Sequence, residues 1–125
     1  MPIDPTQPYD DTNIFARILR GELPCNKVYE DEHVLAFRDI QPQTRVHVLV
    51  IPKGAYVSWD DFSERGSAEE IAGFVRAIGE VARAHNLVEP GYRILANVGR
   101  DGGQEVPHLH VHIFGGRGLG PMLSR

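Results

Sequence analysis

The chain has 125 residues, 42% hydrophobic and 24% charged, enough for one domain with a real core and too short for two. Thirteen basic against seventeen acidic residues give a formal charge of −4 with no long block of either sign, which argues against nucleic acid as the main partner. A lone cysteine, Cys25, excludes an intrachain disulfide framework and a multi-cysteine zinc site, and reads as a small packing residue in a reducing compartment.

Residues 1–10 carry Pro2, Pro5 and Pro8 among polar residues without a periodic pattern, and are expected to be a disordered arm with no chemical role. The first twenty residues hold no apolar stretch long enough for a signal or a membrane span, so a cytoplasmic protein without a membrane partner is expected. Asp11 or Thr12 is placed to cap a short helix over about Asn13–Arg20, where Ile14, Phe15 and Ile18 fall at helical spacing, and Gly21 is a stop. Lys27–Glu30 and Val34–Arg38 read as a hairpin turning at Asp31-Glu32-His33. Pro42 breaks the next stretch into a loop, leaving Asp39 at a strand end.

Val46–Ile51 is a central strand candidate with Val46, Val48 and Val50 on one face and His47, Leu49 and Ile51 on the other. Ser67 and Glu70 have capping-box spacing. The long helix they open ends near Asn86 and shows a stripe of Ile71, Phe74, Val75, Ile78, Val81 and Ala82. His85 in its last turn is expected to meet the helix dipole or solvent. Trp59, between sheet and helix, is assigned to surface packing. Tyr92–Ala96 is a further strand, followed by a connection bent by Gly99, Gly102 and Gly103. The order of elements suggests one largely antiparallel sheet without internal repeats.

The run His108-Leu109-His110-Val111-His112-Ile113-Phe114 has two characters. On a strand, alternation puts the three histidines on one face, ~7 Å apart at twice the ~3.3 Å rise, and the aliphatic residues on the other. Neutral imidazole is a nucleophile and protonated imidazole a charged donor, so such a cluster can attack phosphorus and hold phosphate oxygens. The glycine-rich connection adds main-chain amides for an anion. Three imidazoles on a strand also suit zinc or copper, and spacing alone leaves phosphate and metal chemistry equally open.

The histidine run resembles the signature of the histidine triad (HIT) superfamily of nucleotide hydrolases and transferases. Asn13-Ile14-Phe15, Ala36 to Ile40, His47 to Lys53, Gly91-Tyr92-Arg93 and Asn97 to Gly116 are similar to the nucleotide-binding branch, and Gly115 to Leu123 to its bacterial members. The resemblance implies an α+β HIT domain over residues 11–125, with a five-stranded antiparallel sheet, one short and one long helix, and a homodimer forming a ten-stranded sheet. It implies purine nucleoside phosphoramidase activity with no cofactor and no metal. His110 matches the nucleophile, His112 the partner that binds phosphate oxygens, His108 the residue supporting the nucleophile through its carbonyl, and His47 the outer histidine of the relay. Asn97, Gly103, Gln104 and Glu105 match the phosphate-binding loop and Asp39 the ribose ligand. Ile14, Phe15, Ile18, Leu23, Phe37 and Ile40 match positions near the purine. Glu105 stands where many animal members have a hydroxyl residue, and the tail ending at Arg125 is short, so leaving-group preference is expected to differ. Dinucleoside polyphosphate hydrolysis, nucleotidyl transfer and non-catalytic purine-nucleotide binding remain as alternatives.

Overall fold

The computed structural model describes residues 3–123; the first two residues of the expected arm and the last two of the tail lie outside it. Five strands form one antiparallel sheet: β1 (Lys27–Glu30), β2 (Val34–Arg38), β3 (Val46–Pro52), β4 (Arg93–Leu95) and β5 (Val111–Gly115), ordered β1-β2-β3-β5-β4. The β1–β2 hairpin turns where expected: Asp31 accepts the amides of both His33 and Val34. Four helices accompany the sheet, two more than expected: α1 (Ile14–Leu19), α2 (Trp59–Arg65), α3 (Ala68–Ala84) and α4 (Gly99–Gly102).

The cap of α1 is Asn13 rather than Asp11 or Thr12; its buried carboxamide oxygen accepts from Ala16 N at 2.9 Å. Asp10 instead binds Thr12 in a turn ahead of the helix. The α3 start follows the sequence, with Ser67 and Glu70 capping reciprocally. Its buried stripe is narrower than expected. Phe74, Ala77, Ile78, Val81 and Ala82 are buried, whereas Val75 and Ile71 face outward. His85 caps the helix and donates from Nδ1 to Val81 O at 2.8 Å.

Strand alternation separates two cores. Val34, Ala36, Val48, Val50, Val111 and Ile113 pack under α3. Leu35, Phe37, Leu49 and Ile51 face the other way and pack with Phe15 of α1. Full burial of each large side chain contributes roughly 1.5–3 kcal/mol, so both faces are held by hydrophobic transfer.

Candidate functional site

β3 and β5 lie side by side at the middle of the sheet, with Leu49 opposite His112 and His47 opposite Phe114. His47 and His112 therefore share the face that α3 leaves uncovered. The strand expected over His108–Phe114 begins only at Val111. Continuing the β3–β5 register would pair Leu109 with Pro52, which has no amide hydrogen to give. The chain diverges there, and Leu109 N donates to Tyr56 O at 2.8 Å instead. His108 and His110 thus lie in the irregular lead-in to β5, on either side of the buried Leu109.

The hydrogen bonds fix each imidazole's tautomer. Gln43 N donates to His47 Nδ1 at 3.1 Å, so the His47 proton is on Nε2 and is given to His112 Nδ1 at 2.9 Å. His112 then carries its own proton on Nε2. His108 must donate from Nε2 to Pro52 O at 2.9 Å, so its Nδ1 accepts the Tyr9 hydroxyl at 2.6 Å. His110 donates from Nδ1 to the His108 carbonyl at 2.8 Å, which leaves a lone pair on Nε2. Among the described residues that nitrogen has no hydrogen-bond partner and no buried side-chain N or O is unsatisfied, so Nε2 is open to a ligand. The rings of His110 and His112 stand 5.2 Å apart, and Phe114 stacks parallel on His112.

Burial keeps all four imidazoles neutral. It holds His108 and His112 down at about 4, helped in each by the neighbouring His110. Burial also lowers His110, against the opposing pull of the His108 carbonyl and the Glu105 and Asp39 carboxylates. His47 is lowered by burial, with Asp39 opposing. At neutral pH the site thus presents one free lone pair, on His110, next to one N–H donor, on His112.

Asp39 lies at the end of β2, accepts Gln41 N at 2.8 Å, and places Oδ2 3.4 Å from His47 Nε2. Among the described residues, Asp39, His47 and His112 form the one group of three whose donor atoms, all within 4.8 Å of one another, could hold a cation. Binding one there would require His47 and His112 to give up their mutual hydrogen bond.

The glycine connection folds as α4, closed by Gly103 in the left-handed region at φ 76°. Gln104, expected in the phosphate-binding loop, is engaged within the protein. Its buried side chain accepts Gly99 N and donates to Val57 O and Val106 O, and its amide binds Gly99 O. The Gly103 amide is likewise taken by Arg100 O. Asn97 and the Glu105 amide make no hydrogen bond among the described residues and remain available.

The six expected purine-pocket residues divide. Phe15 and Phe37 are buried edge to face, and Phe15 also meets His110 with centroids 5.0 Å apart. Ile18 lines a cavity of ≈ 470 Å³ with Leu19, Cys25 and Leu35. Leu23 is partly buried. Ile14 and Ile40 face solvent, Ile40 at 92% exposure. Sequence reasoning missed Tyr9, Gln43 and Pro52 as partners of the histidines; Tyr9 sat in a proline-rich arm, and the other two act through main-chain atoms that residue type does not announce.

A family model described as "HIT domain" matches residues 20–119. An uncharacterized 13.2 kDa HIT-like protein of Azospirillum brasilense is 65% identical over 117 residues, covering 94% of this chain and 96% of that protein. The Escherichia coli purine nucleoside phosphoramidase is 40% identical over 114 residues, covering 91% and 95%. A solved HIT family hydrolase from Clostridium thermocellum superposes with a TM-score of 0.83 at 38% identity, covering 91% of this chain and 98% of that one. With a HIT domain model matching most of its length and its histidine run leading into a central strand of a fold that superposes on the solved hydrolase, the chain belongs to the HIT domain family.

Proposed function

We propose that this chain is a hydrolase of purine nucleoside 5′-phosphoramidates. The observation that carries this reading is the His110 Nδ1–H bond to the His108 carbonyl, which leaves Nε2 as a neutral nucleophile beside the His112 N–H. Nε2 attacks the α-phosphorus, a P–N bond to His110 forms, and the P–N bond to the amine breaks as the amine leaves with a proton from water. The nucleotidyl-histidine ring is cationic because Nδ1 keeps its proton, and the His108 carbonyl stabilises that charge. Water then attacks the same phosphorus, loses a proton, and releases a nucleoside monophosphate such as AMP and neutral His110. His112 Nε2–H binds a phosphoryl oxygen as charge develops, with Asn97 and the Glu105 amide as further donors, work that is positioning and charge compensation. Asp39 accepts the ribose hydroxyls. The 40% identity to the E. coli phosphoramidase supports this substrate class over other nucleotide hydrolysis.

The nucleophile and the donors to the phosphoryl oxygens are protein groups and the protons are exchanged with water, so turnover should be indifferent to chelator. The test is release of a fluorogenic amine from adenosine 5′-phosphoramidate by wild type and His110→Ala, with chelator present. Turnover that is lost in the variant and unchanged by chelator supports the reading. A well-folded wild type that binds AMP but turns nothing over would leave a nucleotide-binding module, and dependence on a metal would overturn the mechanism.

The same reading makes β4 a subunit interface, extending two sheets into one of ten strands. β4 pairs on one side only. Beside its open edge, the exposed Trp59, Val75 and Ile94 surround a hollow of ≈ 370 Å³, an apolar surface of the kind that a partner covers. Ile94→Asp should yield a monomer by light scattering; a wild-type monomer would contradict the interface. A nucleotide substrate and a lone thiol suit the cytoplasm. Among the described residues no helix is long and apolar enough to cross a membrane.

A further inference from the structure

The residues ahead of α1 do more than lead into it. Pro5 packs over Gly99: a Cβ added there would lie 3.3 Å from the proline ring, and the φ of 66° favours glycine in any case. From there the segment runs to Tyr9, whose ring meets His108 edge-on with centroids 5.5 Å apart and whose hydroxyl lies 2.6 Å from His108 Nδ1. It therefore touches both the phosphate-loop helix and the histidine run. His108 is fully buried, and its other nitrogen is held by Pro52 O. Among the described residues no other group satisfies Nδ1.

We infer that Tyr9 is a positioning residue for the nucleophile: by clamping the His108 ring it fixes the His108 carbonyl that orients His110. The inference rests on the proposed reaction for its rate effect and on geometry for the clamp. His108 bonded at both nitrogens cannot rotate, so its carbonyl stays on the His110 Nδ1–H line at 2.8 Å. Replacing the hydroxyl with hydrogen would leave a buried acceptor unpaired, and the ring and its backbone would shift to relieve it. The bond at risk gains strength when His110 becomes cationic in the nucleotidyl intermediate. The loss should therefore appear in kcat rather than in KM. Tyr9 keeps its proton for this task, since burial pushes its phenol up.

The test is Tyr9→Phe in the full chain, read by steady-state kinetics on adenosine 5′-phosphoramidate and by ¹⁵N NMR of the histidines without substrate. The expected result is a kcat lower by about 3- to 10-fold, the rate equivalent of one hydrogen bond's net worth, with KM within about twofold. His108 Nδ1 should move to the position of an unpaired lone pair, and the His110 Nδ1 proton should exchange faster. Unchanged kcat with unchanged His110 exchange overturns the inference, as does a raised KM at constant kcat. Should Tyr9→Phe fail to fold, 3-fluorotyrosine at position 9 keeps the ring and strengthens the donor. His108 Nδ1 must then shift the opposite way, and a spectrum identical to wild type overturns the clamp. Absence of wild-type turnover would sink the proposed reaction alone, because the NMR arm still decides the clamp.

Discussion

The face of the sheet under α3 and the face carrying the histidines come from the same strands, alternate residue by alternate residue. Under α3 the side chains are aliphatic or aromatic, and Val34, Val50, Phe74 and Ile113 lose all solvent contact. On the other face Leu35, Phe37, Leu49 and Ile51 form an equally apolar floor, but His47, His108, His110 and His112 are set into it. Burial there removes protons from imidazoles rather than water from methyl groups. Hydrogen bonds to Gln43, Pro52, Tyr9 and the His108 carbonyl then decide which nitrogens keep theirs. One face stores stability; the other spends part of it holding neutral bases in one tautomer.

The contrast is broken most severely at Phe74. Phe74→Ala empties the α3 core and should cost about 3–5 kcal/mol in denaturant unfolding, with activity per folded molecule kept. Loss of activity at full occupancy of the folded state would mean that the two faces are coupled. The next effect is at Gln104, whose truncation to Ala leaves Gly99 N, Val57 O and Val106 O without their partner. A loss on the order of 2–3 kcal/mol is expected, together with a raised KM as the phosphate loop loosens. A stability change within error would mean that water replaces the carboxamide.

Acid should then act first on the histidine face, before the carboxylates of Glu30, Glu70 and Asp61, which their partners hold below the ordinary range, take up protons. His108 and His112 sit at about 4 in the folded chain against about 6.5 when exposed, so the unfolded chain binds more protons between those values. Stability should be level above about pH 6.5 and fall steadily towards pH 4, and His108→Phe should flatten part of that slope if it folds. A wild-type curve flat across this window would mean that the imidazoles are not held neutral. The smallest effect is expected at Ile40, where Ala should change stability by less than about 0.5 kcal/mol. A raised KM for adenosine substrates in this variant would show that the exposed residue closes over bound purine.

Local signals made much of this legible in the sequence. The β1–β2 hairpin, the Ser67–Glu70 capping box and the alternation of the histidine run are each settled within a few residues. The Ser58 cap of α2 carries the same kind of signal, an acceptor followed by Asp60 and Asp61 in the first turn, beside a Trp59 whose residue type indicates only packing. What the sequence left out depends on distant partners. The truncation of β5 follows from Pro52 lying opposite Leu109, the exposure of Val75 and Ile71 from where α3 rests on the sheet, and the place of Tyr9 from an arm that has no periodicity to read. At the site, residue types announced imidazole chemistry, but only the hydrogen bonds distinguish His108, with both nitrogens committed, from His110, with one free.

That distinction is open to direct measurement. Enzyme in excess over a nucleoside 5′-phosphoramidate, quenched within a turnover and digested for mass spectrometry, should carry one nucleoside monophosphate on the peptide containing His110. The adduct should be absent from His110→Ala, and fragmentation should place it on that residue. Complete hydrolysis with no adduct at any time, or an adduct on His108 or His112, would contradict the assignment of the free lone pair to His110.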